Sequence, residues 1–319
     1  MATAEQIKSL IKAYSAHDEE KFKTVVLQIA AHEAKLGHGS IAQELKKEVD
    51  KLKSNSSIIR LNIEQNPMLQ YSMPSVSLAE LIVSDSVIAK VKRVLLEYRN
   101  KNKLYNSGLS NRRKILLEGN PGTGKTMTAS VIASELGLPL FTVQMDKLVT
   151  KFMGETSIRL RQIFDSIAND TGVYFFDEFD AIGADRSLDN EVGEMRRILN
   201  SFLQFLEMDS SESIIIAATN NCQILDKALF RRFEDVIHYD LPDEDQVRRL
   251  IEFKLGSFAD KSIYEPKVID AASGLSHAEL TIVCEDVLKE AILFDVPVTG
   301  GAMISTLDER RRIYQDKEA

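Results

Sequence analysis

One stretch constrains this chain more than any other: Gly119-Asn120-Pro121-Gly122-Thr123-Gly124-Lys125-Thr126. It satisfies the pattern G-x-x-x-x-G-K-[ST] at every fixed position. Before it, Lys114-Ile115-Leu116-Leu117-Glu118 reads as a short buried strand; after it, Met127, Val131, Ile132 and Leu136 recur at helical spacing. Strand, glycine loop and helix together form a phosphate cradle. The glycines let backbone N–H groups turn inward, and the helix N-terminus adds its positive end. The expected contacts are Pro121, Gly122, Thr123, Gly124, Lys125, Thr126 and Met127. Lys125 would reach the β- and γ-phosphates, and the Thr126 hydroxyl would ligate magnesium.

Other patterns extend this site. Val173-Tyr174-Phe175-Phe176-Asp177-Glu178 is an apolar strand ending in two acids. Beside a phosphate loop, Asp177 suits a magnesium ion and Glu178 suits orientation of an attacking water. Ser213–Thr219 is a further buried strand, and Asn220 at its end offers an amide to the γ-phosphate or to that water. Arg231 and Arg232 follow after a short helix-like segment. An arginine supplied by a neighbouring subunit stabilises a transferring phosphoryl group by roughly 10³–10⁵ in rate.

The chain around these motifs divides by pattern. Residues 1–54 read as a small helical module, with apolar stripes such as Phe22, Val25, Val26 and Ile29, and capping boxes at Thr3/Gln6 and Ser40/Gln43. His32-Glu33 invites a metal reading, but the next histidine is His38; the H-E-x-x-H spacing is absent and solvated histidines are expected. Residues 55–76, with Pro67 and Pro74, read as a linker holding a short strand at Ile58–Ile63. A helix is expected over Asp85–Asn102. Residues 77–240 alternate strands (Leu138–Gln144, Gly172–Asp177, Ser213–Thr219) with helices (Ile158–Asn169, Val192–Met208), which predicts an α/β fold with a mostly parallel sheet sandwiched by helices. Residues 241–319 read as a helical domain and tail, with Pro266 opening one helix and Ser276/Glu279 boxing the start of another.

Composition narrows the function. The 319 residues allow two or three domains, and a net charge of -8 argues against a nucleic-acid partner. Cys222 and Cys284 are too few for a disulfide scaffold, so a reducing, cytoplasmic location is expected. No apolar run is long enough for a membrane span, and the N-terminus carries no basic-then-apolar leader.

The order of phosphate loop, Asp-Glu strand, Asn strand and Arg-Arg-Phe resembles the AAA+ ATPases, and in detail their classical AAA clade, over roughly residues 75–310. The resemblance implies a P-loop NTPase domain followed by a helical lid, with ATP and Mg2+ as cofactors. It also implies a homo-oligomeric ring, usually a hexamer, with ATP bound between subunits. Asn220 then matches the sensor-1 position, and Arg231 and Arg232 the paired arginine fingers. Ser276-His277-Ala278-Glu279-Leu280 is similar to the clade's Ser-Gly-Ala-Asp-Leu lid motif, with His277 in place of the usual Gly. Ala278, and Val83 within Ile82-Val83-Ser84, then lie at the nucleotide base. Lys151-Phe152-Met153-Gly154 resembles the clade's first pore loop, whose aromatic–aliphatic tip grips an extended polypeptide; a second pore segment falls within Ala184–Glu194. Arg196 and Arg197 match basic positions of the clade's second conserved helix.

The expected function is ATP-driven remodelling of a polypeptide threaded through a ring. The alternative is a nucleotide-gated regulatory ATPase that controls a partner without threading. Gln28–Lys35 is similar to small bacterial AAA ATPases paired with a separate subtilisin-like serine protease in phage defence, which names such a protease as a partner.

Overall fold

The computed structural model describes residues 8–10, 12, 19–35, 37–39, 41–47, 66–148, 155–179, 189–220 and 230–315. The chain separates into two compact units, Met1–Gln65 and Asn66–Ala319. The pore-loop residues Lys151, Phe152, Met153 and Gly154, the Thr3/Gln6 and Ser40/Gln43 boxes and the Ile58–Ile63 strand reading lie wholly or partly outside the described residues.

In the first unit, α1 spans Glu19–Lys35 and buries Val25 and Ala30. Residues 41–47 are also helical. His38 is bonded through Nδ1 to Glu33 at 2.7 Å. His32 departs from the expectation of a solvated ring: it is half-buried, and its Nδ1 is shut off from water.

The second unit opens with β1 (Leu69–Ser72), α2 (Asp85–Arg99) and β2 (Lys114–Gly119). It continues through α3 (Lys125–Leu136), β3 (Leu140–Val143), α4 (Glu155–Asn169) and β4 (Val173–Phe176). Then come α5 (Asp189–Met208), β5 (Ile214–Thr219) and β6 (Asp235–Tyr239). The strands form one six-stranded sheet in the order β1-β3-β4-β5-β2-β6. All neighbours run parallel except β1, which pairs antiparallel with β3.

β1 corrects the reading of its stretch as linker. It lies between Pro67 and Pro74, is four residues long and exposes three of them. An edge strand of this kind needs only one buried side chain, so it carries no period that the sequence could show. β6 was also missed, because its mixed composition (DVIHY) buries only Ile237 and Tyr239. The helix expected over Asp85–Asn102 stops at Arg99; Asn100 separates it from a short helix at Lys101–Tyr105.

The interior strands explain the parallel sheet. β4 (VYFF) and β5 (IIIAAT) are buried at every position, as a sheet covered on both faces requires. On one face α2 and α3 pack Val87, Val91, Val94, Val131 and Ile132 against Ile115, Leu117 and Phe175. On the other, Phe164 and Phe202 meet the Phe176 ring at 6.3 and 5.2 Å between centroids.

Beyond β6 the chain is helical: α6 (Glu244–Leu255), α7 (Pro266–Ala272), α8 (His277–Phe294) and α9 (Gly300–Gln315). Pro266 occupies the first turn of α7, where its missing N–H costs no hydrogen bond. The Ser276/Glu279 box is formed at α8. These helices own a second core, in which Val247, Leu250, Ile251, Leu280, Val283 and Val287 meet. Leu81 and Val83 belong to the first core, while Ile82 between them belongs to the second.

Candidate functional site

The register places the functional strand ends together. Glu118 pairs with Thr219 and Phe176 with Ala217. Continuing those rows sets Asn220 level with Gly119, and Asp177 and Glu178 one and two residues beyond the end of β4. Parallel strands thus deliver the phosphate-loop sequence, the acid pair and the amide to one edge of the sheet, where α/β folds bind ligands.

A cavity of about 570 Å³ opens at that edge. Pro121, Gly122, Gly124, Lys125, Thr126, Met127, Asp177, Glu178 and Asn220 line it, as do Val83 and Ala278. Thr123 does not: it is buried, and its hydroxyl donates to Asn120 O at 2.8 Å, bracing the loop from within. The sequence reading gives no site role to Leu250, Phe253, Lys254 or Thr281, which line the cavity from α6 and α8. The signal at Leu250 is helical periodicity, which marks a packed face and says nothing of a ligand; the other three carry none.

Backbone shape at the loop depends on glycine. Gly122 and Gly124 have φ of 75° and 102°, in the left-handed region. The Gly122 carbonyl accepts a hydrogen bond from the Ala278 N–H at 3.0 Å, so the loop is tied directly to the first turn of α8. A Cβ on Gly122 would lie 2.6 Å from Ser276 Oγ.

The polar end is compact. Lys125 is buried, and its ammonium donates to Gly119 O and Asn120 O at 2.7 and 2.8 Å. The Thr126 hydroxyl donates to Asp177 Oδ2 at 2.9 Å, and the other Asp177 oxygen accepts from the Glu178 N–H at 2.9 Å. A hydroxyl and a carboxylate oxygen in contact offer two hard ligands side by side, the chemistry that magnesium takes beside phosphate oxygens. Glu178 is exposed and has φ 49°, a conformation that is strained for a residue with a side chain. Glu178 lines the same cavity as Lys125 and Asn220.

The two arginines lie outside the cavity lining and differ from each other. Arg232 is ion-paired through Nε with Glu207 in the last turn of α5. Phe233 is buried. Glu234 accepts from the backbone N–H groups of Arg113 and Lys114 at 2.6 and 3.1 Å. The turn is fastened at three successive residues, and Arg231 at its start is exposed to solvent.

Comparison with known proteins agrees with this construction. A family model described as "ATPase family associated with various cellular activities (AAA)" matches residues 115–241. The chain is 31% identical over 302 residues to an AAA family ATPase, y4kL, of Sinorhizobium fredii, covering 92% of this chain and 90% of the relative. It is 30% identical over 250 residues to a 26S proteasome regulatory subunit homolog of Methanothermobacter marburgensis, covering 76% of this chain and 64% of that protein. It is 35% identical over 190 residues to the ATP-dependent zinc metalloprotease FtsH of Mesoplasma florum, covering 57% of this chain but 28% of that protein. The crystal structure of the FIGL-1 AAA domain superposes with a TM-score of 0.62 at 20% identity, over 82% of this chain and 94% of that one, a likeness of fold. With its P-loop NTPase sheet, its helical C-terminal part and a relative matched along nine-tenths of its length, the chain belongs to the AAA family of ATPases and hydrolyses ATP.

Proposed function

We propose that this ATPase remodels polypeptides as a ring, with ATP bound in the 570 Å³ cavity. The observation that carries the hydrolytic part is the convergence of Lys125, Thr126, Asp177, Glu178 and Asn220 on that one cavity. The loop N–H groups and Lys125 bind the phosphates. Thr126 and Asp177 would hold Mg2+, which when bound neutralises phosphate charge. Glu178 orients and deprotonates the attacking water, and Asn220 positions it against the γ-phosphate. Val83 and Ala278 belong to the base end.

Arg231 and Arg232 serve the ATP of the adjacent subunit, and the fastened turn supports a division of labour. Arg231, exposed, makes the contact across the interface; Arg232, paired with Glu207, sets the direction in which Arg231 leaves the turn. The remodelling part rests on relatives named for proteasome regulation and for ATP-dependent proteolysis. Lys151, Phe152, Met153 and Gly154 form the gripping loop of that proposal, a hexamer is its assembly, and a separate serine protease is the partner that Gln28–Lys35 favours.

The test is the native mass of Glu178→Gln with ATP and without nucleotide. That variant retains ATP, so a ring closed by ATP persists and is weighed directly. A monomer under both conditions removes the ring and the trans role of the arginines. With a ring in hand, Phe152→Ala is expected to hydrolyse ATP and to stop processing a polypeptide substrate; continued processing rejects the pore.

A further inference from the structure

The core behind the phosphate loop holds two hydroxyls that packing does not require. Tyr239, the last residue of β6, is 2% exposed, and Thr128, the fourth residue of α3, is fully buried. Neither lines the cavity. Phenylalanine and valine would fill the same space without burying polar atoms.

The two hydroxyls form a chain with a fixed direction. Thr128 Oγ1 donates to the Gly124 carbonyl at 3.1 Å, and a carbonyl only accepts. Thr128 thereby commits its one hydroxyl proton, so the Tyr239 hydroxyl donates to Thr128 Oγ1, at 2.6 Å. Burial lifts the Tyr239 pKa far above the ordinary phenol range, against the opposing effect of the bond to Thr128, and keeps this proton in place. The Gly124 carbonyl also accepts from the Thr128 N–H at 2.9 Å. That carbonyl belongs to the peptide joining Gly124 to Lys125. A trans peptide is planar with its C=O and N–H opposed, so a carbonyl held by two donors fixes where the Lys125 N–H points. It points out of the start of α3, where the first N–H groups of a helix have no partner within it and turn to anions. Gly124, Lys125 and Thr126 line the cavity at that start.

Tyr239 also meets the other end of the loop. Gly119 is its register partner in β2. The approach is so close that a Cβ on Gly119 would overlap the Tyr239 carbonyl oxygen and lie 2.8 Å from Tyr239 Cβ. One residue thus braces the loop at both ends, Gly119 by its backbone and Gly124 through Thr128.

We propose that Tyr239 is a positioning residue for nucleotide binding, which orients the Gly124–Lys125 peptide toward the phosphates through the Thr128 hydroxyl. The inference rests on the nucleotide reading of the cavity proposed above. Backbone N–H groups of such a loop cradle the α- and β-phosphates, which ADP and ATP share. The contact is made alike before and during the reaction, so its loss raises KM for ATP and leaves kcat.

The test is a double-mutant cycle on Tyr239→Phe and Thr128→Val, read by calorimetric titration with ADP and by the melting temperature without nucleotide. Each single variant is expected to weaken ADP binding about three- to tenfold, the range of one hydrogen bond. The double variant is expected to bind no more weakly than Thr128→Val, because both changes cut one chain. Stability separates positioning from packing. Thr128→Val leaves the Tyr239 hydroxyl buried without an acceptor and should melt lower; adding Tyr239→Phe removes that orphan and should restore the melting temperature. ADP binding is expected to stay weak in the restored double variant, with KM for ATP raised by the same factor and kcat within about twofold. Thr128→Ser keeps the hydroxyl and should keep the affinity. Should Thr128→Val fail to fold, the double variant, which has no orphan, decides alone. ADP affinity that recovers together with stability in the double variant, or losses that multiply across the two changes, overturns the brace; so does a double variant that is both weak and unstable, which would assign the pair to packing. Lys125→Ala separates the layers. Undiminished ADP binding in that variant overturns the nucleotide reading of the cavity itself, whereas lost binding there with full affinity in the double variant overturns the role of Tyr239 alone.

Discussion

Glu178 holds a left-handed backbone that glycine would adopt more comfortably, and it is exposed. A side chain kept in a strained position in the same cavity lining as Lys125, Asp177 and Asn220 supports the catalytic role proposed for it. Glu178→Gln is therefore expected to bind ATP with unchanged affinity and to lose about 10²–10⁴ in kcat, measured by steady-state phosphate release. The arginines separate at the same scale. Arg231→Ala should cost about 10³ in kcat with KM for ATP unchanged. Arg232→Ala and Glu207→Gln should each cost less, and exchanging the two charges (Arg232→Glu with Glu207→Arg) should recover activity over either single change. Equal, unrecoverable losses at both arginines would mean that both touch the phosphate. Residues of the loop and the acid pair were legible in the sequence because each motif is contiguous and its spacing is its geometry. Glu207 was not, since its partner lies 25 residues away, and neither was the contact of His277 Nε2 with Gln246 Oε1 at 3.3 Å, across 31 residues.

At the scale of elements, α8 connects the lid to the phosphate loop through the Ala278 N–H and the Gly122 carbonyl. Gly122→Ala would place a Cβ 2.6 Å from Ser276 Oγ at a φ of 75°, so the loop or the helix must give way. ATP affinity is expected to fall by tenfold or more while the far-ultraviolet circular dichroism is retained; unchanged affinity would show that the loop binds phosphate without the helix. Acid acts on the same helix start. The neutral His277 has its pKa lowered to about 4 by burial, with Asp243 as the charge that opposes the shift. The unfolded chain takes up this proton near pH 6.5 and the folded chain does not. The stabilisation is complete above about pH 6.5 and is lost as pH falls toward about 4, by up to about 3 kcal/mol. Urea midpoints across that window should show the loss, and His277→Asn should flatten it. Elements with a strong signal, the periodic α2 and the unbroken apolar run of β5 among them, were readable from sequence alone. β1 and β6 were not: each buries too few side chains for alternation to show, and pairing with β3 and β2 supplies what their composition lacks.

At the scale of the molecule, the second unit has two hydrophobic cores, one built on the sheet and one within α6–α9. Their boundary runs through three consecutive residues, with Leu81 and Val83 packed in the first core and Ile82 in the second. Calorimetry of the nucleotide-free protein is expected to resolve two transitions that merge when ATP is bound to Glu178→Gln. A single transition in both states would mean that the cores already melt as one. The alternation at 81–83 bears also on how a nucleotide in the cavity would couple the two cores. Side chains that point alternately into two bodies act as a stitched seam that ties the two cores along their boundary. On the proposed reading a nucleotide lying against that seam would work as a rivet, and its loss would loosen one row of stitches between the sheet and the lid.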